Sequence, residues 1–348
     1  MNQVETTISN VFRQHQGNPD DVVDILDLPV EQREALGVAR NMDKRLRSLR
    51  RNNDCPRCWM QRKHCICDQC CSVIGNDDDD DDDDSNNNHD SNNGGGVLKR
   101  IFLIVHHKEI GLKVDTAKLI LAAFPFQCEL VVGGIGPEFQ TSMKELLQSI
   151  EGNTNNNNNK RRRTSLLLFP NETAKTLKEI VNEKRLGFST STSTSTSSQS
   201  PNQQQQQQQQ QGDADEYDLI VLDGTWAQAR KFHSRYFPSV TTNADGRDET
   251  SSSLQRVQLS EESVELLQEG STKTGHQLRR HEIPWRQVGT FEAFRLFLRD
   301  WSQEFPSDNN NNKNNKKEGA LELWEQIEAY QRIANDAALK ELGPPRRS

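Results

Sequence analysis

The chain is cut by polar tracts that no hydrophobic core can absorb. Asp77–Asp84 is an unbroken acidic run, followed by an Asn-rich stretch and Gly94–Gly96. Asn155–Asn159 is all asparagine, Ser189–Ser198 alternates serine with threonine, Gln203–Gln211 is all glutamine, and Asn309–Asn315 is polar again. Such segments bury too little apolar surface to offset the entropy of ordering, so they read as disordered insertions. They sit between periodic segments, as expanded loops do, and loops cost little as they lengthen. What remains to fold is roughly 230–260 residues, enough for one sizeable core and a small module.

The segments between the tracts alternate apolar runs with amphipathic ones. Arg100–Val105, Cys128–Val132, Ser165–Phe169, Tyr217–Leu222 and Leu254–Leu259 read as short buried strands. Thr116–Phe124 (capped by Asp115), Glu172–Glu183, Trp226–Tyr236, Phe291–Phe305 and Leu321–Leu342 read as helices. Strands alternating with helices predict an α/β fold, a mostly parallel sheet flanked by helices. Neither GxGxxG nor GxxxxGK[ST] is present, so a dinucleotide site and a P-loop are unsupported.

In a parallel sheet, ligands bind outside the carboxyl ends of the strands. The strand Leu219–Leu222 stops at Asp223-Gly224-Thr225-Trp226, which places a carboxylate, a glycine and an indole at such an end. The other reading of the same residues is an acidic helix cap followed by a packed tryptophan. His107 and Glu109 stand at the end of the first strand, and polar residues recurring at successive strand ends favour a site.

Residues 55–71 hold six of the seven cysteines. Cys55-x-x-Cys58 is followed, after six intervening residues, by Cys65-x-Cys67. Two close pairs of thiolates complete a four-sulfur tetrahedral shell, for which zinc is the natural occupant and a structural role follows. His64, Cys70 and Cys71 are alternate ligands, and an iron–sulfur cluster is the weaker assignment. An odd cysteine count crowded into one segment argues for a reducing intracellular compartment, cytoplasm or nucleus, over disulfides.

The net charge of −8 belongs to the eight-residue Asp tract, without which the formal total is zero. Basic residues gather elsewhere: Arg40, Lys44, Arg45, Arg47, Arg50 and Arg51, then Lys160–Arg163, then Arg279, Arg280 and Arg286. With Arg57, Arg62 and Lys63 around the cysteines, this pattern suits a polyanion such as nucleic acid. No stretch reaches the ~20 apolar residues of a membrane span, and no membrane partner is expected.

Four motifs in order resemble the DTW-domain family. They are the Cys55–Cys67 knuckle, His107-Lys108-Glu109 with Asp115-Thr116 after it, Asp223-Gly224-Thr225-Trp226, and Gly289-Thr290-Phe291-Glu292-Ala293 with Arg279-Arg280 ahead of it. Gln61 stands where the family's proline is usual, and Asp115 where its asparagine is usual. The likeness covers about residues 50–305. It implies a tRNA-uridine aminocarboxypropyltransferase that uses S-adenosylmethionine to alkylate N3 of a tRNA uridine, releasing methylthioadenosine. It also implies likeness to the SPOUT class, whose fold carries a deep knot.

On that resemblance Asp223 and Trp226 are the catalytic candidates. Asp223 acts either as base toward N3 or as an electrostatic partner of the donor, and Trp226 lines the pocket, stacks on the base or simply packs. His107, Glu109, Thr116, Gly224, Thr225, Thr290, Glu292 and Ala293 surround the donor; Arg57, Arg62, Lys63, Arg279 and Arg280 meet the tRNA. Two other classes of function compete: a non-catalytic, zinc-containing RNA-binding protein and a SPOUT-like methyltransferase. The expected organisation is a tail (1–19), a basic helical segment (20–52), the knuckle (53–73), a linker (74–96), the catalytic domain (97–305, with insertions near 152–164, 188–215 and 241–252), a polar linker (306–318) and a terminal helix and tail (319–348). Monomer and dimer are both compatible with the sequence, and it names neither the tRNA nor the uridine.

Overall fold

A computed structural model describes residues 4–9, 28–71, 97–113, 115–134, 137–151, 163–190, 215–237, 254–270, 289–305 and 318–342. Of the polar tracts, only Ser189 and Thr190 fall within these residues; the insertions near 152–164, 188–215 and 241–252, apart from their edges, lie outside them.

Six strands form one sheet: β1 (Val97–His106), β2 (Cys128–Gly133), β3 (Arg163–Leu168), β4 (Lys175–Thr176), β5 (Glu216–Asp223) and β6 (Leu254–Gln258). Their order is β2-β1-β5-β3-β6-β4, and each pairing is parallel. The helices are α1 (Val30–Arg51), α2 (Cys67–Cys71), α3 (Lys118–Ala123), α4 (Pro137–Glu151), α5 (Leu177–Thr190), α6 (Trp226–Tyr236), α7 (Glu261–Gly270), α8 (Thr290–Glu304) and α9 (Glu318–Leu342). The chain is thus α/β, a parallel sheet flanked by helices.

Both faces of the sheet are covered, which is why its central strands run through unbroken apolar stretches such as Ile101–Val105 and Leu219–Leu222. Successive side chains of a strand point to opposite faces. Ile101, Leu103, Val105, Leu219 and Val221 therefore join one cluster, and Phe102, Ile104, Ile220 and Leu222 the other. The first cluster is closed by α3, α5, α8 and α9, together with Met42, Leu46 and Leu49 of α1 and the cysteine segment. The second is closed by Met143, Leu146 and Ile150 of α4 and by Ala229 and Phe232 of α6. Each fully buried side chain of this size contributes about 1.5–3 kcal/mol.

Four local expectations are corrected. Helix α4 was not anticipated between the second and third strands, nor α7 after the fifth. The helix expected from Glu172 starts at Leu177, because Asn171 holds a turn (Thr173 N–H to its Oδ1, 3.2 Å) and Thr176 caps the helix with Glu179 (Thr176 N–H to Glu179 Oε2, 2.7 Å; Glu179 N–H to Thr176 Oγ1, 3.3 Å). The helix expected over Thr116–Phe124 is shorter, Lys118–Ala123, with Asp115 Oδ1 accepting from Ala117 N–H at 2.9 Å.

The cysteine segment is clasped from the far end of the chain. Glu341 of α9 accepts from Gln61 N–H at 3.0 Å and pairs with Lys113, which lies 3.8 Å from the buried Asp54 carboxylate.

Candidate active site

Helix α3, which follows β1, packs on one face of the sheet, whereas α6, which follows β5, packs on the other. β1 and β5 are neighbours, with Val105 opposite Asp223. Connections leaving adjacent parallel strands to opposite faces open a crevice outside their carboxyl ends. The residues that end the two strands, His106 to Glu109 and Asp223 to Thr225, border that opening.

Asp223 is buried and meets few partners. Thr290, the first residue of α8, donates its hydroxyl to Asp223 Oδ1 at 2.6 Å, and Oδ2 has no hydrogen-bond partner among the described residues. Burial pushes the carboxyl well above the usual range; Asp115 and Glu109 push in the same direction, and the Thr290 hydroxyl opposes them. The structure therefore gathers Asp223, Thr290, Glu109 and Asp115 into one acidic neighbourhood drawn from three separate elements.

Gly224 has φ +143°, a conformation that side-chain-bearing residues rarely adopt. A Cβ there would lie 3.0 Å from Gln228 Oε1 and 3.3 Å from His106 Cβ, so the glycine lets the turn close against the end of β1. Thr225 is the N-cap of α6: its N–H donates to Gln228 Oε1 at 2.7 Å and its hydroxyl accepts from Gln228 N–H at 3.4 Å. Trp226, half-buried, meets Phe169 edge-on with ring centroids 5.7 Å apart. Capping and packing by Thr225 and Trp226 thus hold Asp223 at the strand end.

The remaining candidates divide. His107 is buried beside Phe139, and burial lowers it to about 4; its Nδ1 has no hydrogen-bond partner among the described residues. His106, which the sequence did not single out, stacks on Phe232 at 5.5 Å, and burial holds it at about 3, so both imidazoles are neutral at pH 7. Its signal was its place as the last residue of β1. Glu292 is taken up by Arg295 at 2.7 Å, an ion pair that Arg295 extends to Glu328 of α9 at 3.3 Å. Ala293 N–H bonds Gly289 O at 3.0 Å, and Thr116 O accepts from Leu119 N–H at 3.1 Å, so both shape backbone beside the acidic group. Arg279 and Arg280 lie outside the described residues.

A cavity of about 1060 Å³ opens beside this turn. One stripe of α1 (Glu34, Val38, Met42, Arg45) and one of α6 (Gln228, Lys231, Phe232, Arg235) form its walls, and His106, His107 and Lys108 reach it from β1. Arg45 ties the wall to the floor by donating to the carbonyls of Lys108 and Ile110, the latter at 3.1 Å.

Away from the sheet's crevice, the sulfurs of Cys55, Cys58, Cys65 and Cys67 lie within 4.8 Å of one another. Cys55 to Cys67 is 3.6 Å and Cys58 to Cys65 is 3.8 Å. Four sulfurs at about 2.3 Å from a tetrahedral ion stand about 3.8 Å apart, so the geometry suits such an ion. The turn is preformed: Cys55 N–H bonds Met60 O at 2.7 Å, Trp59 N–H bonds Cys55 O at 2.9 Å, and Trp59 sits fully buried at φ +56°. His64 and Cys70 stand outside the cluster, and Arg57, Arg62 and Lys63 are exposed around it.

The family model of the DTW domain matches residues 97–330, two thirds of the chain. No curated protein and no solved structure matches it. Among the described residues, no helix is long and apolar enough to cross a membrane. The chain belongs to the DTW domain family.

Proposed function

We propose that this DTW-domain protein transfers the 3-amino-3-carboxypropyl group of S-adenosylmethionine to N3 of a tRNA uridine. The observation that carries the reading is Asp223: a buried carboxyl with one oxygen unpartnered, at the end of β5, inside the sequence that names the family. A cation is the partner such a group lacks. The donor supplies a sulfonium whose γ-carbon accepts the N3 lone pair while the C–S electrons return to sulfur, leaving methylthioadenosine.

The chain's own part is to position and to take a proton. Glu109 and Asp115 add negative charge beside Asp223, which suits a donor carrying a sulfonium and an ammonium. Loss of its proton would make Asp223 an acceptor for the uridine N3–H, a contribution typically worth 10²–10⁴-fold. Thr290 fixes the carboxyl through Oδ1 and leaves Oδ2 to act. In the same reading zinc fills the Cys55, Cys58, Cys65 and Cys67 site, where it is structural.

Mass spectrometry of tRNA incubated with the protein and donor tests the reading. A gain of one aminocarboxypropyl group supports it. A methyl gain would make the protein a methyltransferase, and no gain with retained tRNA binding would make it a binding protein. Calorimetry in buffers of different ionisation enthalpy gives a second check. Donor binding should release a proton at pH values where free Asp223 still holds its own, because the arriving cation favours the carboxylate; Asp223→Asn should remove that release.

A further inference from the structure

We infer that the cleft between α1 and α6 is an RNA-binding groove, which seats the single-stranded segment that carries the target uridine. This rests on the reading of the protein as a tRNA-modifying enzyme and assigns where the polynucleotide lies. Five cations line the cleft (Lys44, Arg45, Lys108, Lys231 and Arg235) against one acid, Glu34. Lys44, Lys108, Lys231 and Arg235 are exposed, and none is ion-paired to a described residue. On α1, Arg47 is taken up by Asp43 at 2.5 Å and Arg50 by Glu5, whereas Lys44 lines the cleft with no ion pair to a described residue. Lys44 and Lys108 are brought to one side by the bonds from Arg45, and Lys231 and Arg235, one turn apart on α6, form the other side.

Between these rims the floor is ring-lined: His106 stacks on Phe232, and both imidazoles are uncharged. Cationic rims for phosphates with flat rings between them are what a single strand requires, since every base has a stackable face. The floor also leads to the acidic turn, because His106 Cβ lies 3.3 Å from where a Gly224 Cβ would stand. A nucleotide on the floor would therefore lie near Gly224, the residue that follows Asp223. The volume of about 1060 Å³ accommodates more than one nucleotide and exceeds a usual small-molecule site.

The test is fluorescence anisotropy of unmodified tRNA with the full-length protein across a salt series. Each lost phosphate contact should lower the slope of log affinity against log salt by about 0.7, so Lys231→Gln with Arg235→Gln should flatten it by about 1.4 and weaken binding about tenfold near 0.15 M salt. Lys44→Gln should behave as half of that pair, and Lys231→Arg with Arg235→Lys should restore the slope, which separates charge from folding. S-Adenosylmethionine affinity should not move. An unchanged slope in the Gln variants, or a fall in donor affinity with RNA affinity intact, overturns the groove. If the wild-type protein modifies tRNA and the Gln variants bind it normally, the groove fails and the activity stands. If the Gln variants lose tRNA but wild type adds no aminocarboxypropyl group, the groove stands and the activity fails.

Discussion

Strand β5 carries two buried aspartates at its two ends, and the fold treats them in opposite ways. Asp218, near the amino end, receives two bonds from Arg100 (Nε to Oδ1 3.0 Å, Nη2 to Oδ2 2.5 Å) with Arg163 Nε 3.8 Å away. Asp223, at the carboxyl end, receives one hydroxyl and is surrounded by other acids. The first charge is fully matched and completes the sheet. The second has one oxygen without a hydrogen-bond partner among the described residues, and burial favours its protonated form.

The largest effect that would sharpen the contrast is at the matched end. Arg100→Ala leaves Asp218 buried against a distant guanidinium, and urea unfolding should show a loss of about 3 kcal/mol. At the unmatched end the sign reverses. Asp223→Asn should abolish transfer, by 10² or more in kcat, while stability rises or holds. A carboxyl whose folded pKa is raised keeps a proton that the unfolded chain has shed above about pH 4, so the wild type loses stability as pH climbs from there toward the folded value. The gain from Asp223→Asn over wild type should accordingly grow with pH across that range in thermal melts, and a gain that shrinks with pH would break the comparison.

Smaller effects follow at neighbours. Thr290→Val removes the hydroxyl from Asp223 Oδ1 and should cost about 1–3 kcal/mol. It should also shift the acidic limb of the pH–rate profile upward, because the hydroxyl opposes the rise in pKa. Gly133→Ala is smaller in volume but badly placed: its Cβ would stand 2.3 Å from Phe232 Cζ, so the ring must move. Its cost should appear as weakened RNA binding more than as lost donor binding, since Phe232 floors the cleft.

The strands were legible because a parallel sheet covered on both faces is built from unbroken apolar runs, as in Leu219–Leu222. Helix α4 was less so. Phe139, Met143, Leu146 and Ile150 carry its period, and its start is marked by Pro137 and Glu138, without a Ser, Thr, Asp or Asn cap before them. The two-residue β4 exists only through its pairing with β6. At the site, the DTW turn and Thr290 were visible as motifs, whereas the contact that joins them spans 67 positions. The α1–α6 cleft was invisible for the same reason: it depends on which helix faces land opposite one another. Trp226 and Glu292 looked chemical from sequence, and their observed contacts are Phe169 and Arg295.

The grip of Glu341 on Gln61 has an outcome in time. The two residues are separated by 280 positions, so the cysteine turn leaves the ribosome long before the carboxylate that fastens it. Contacts this distant in sequence form late in folding. Formation of the cysteine turn and its docking under α9 are therefore separate events, and a nascent chain stalled before α9 would lack the clasp.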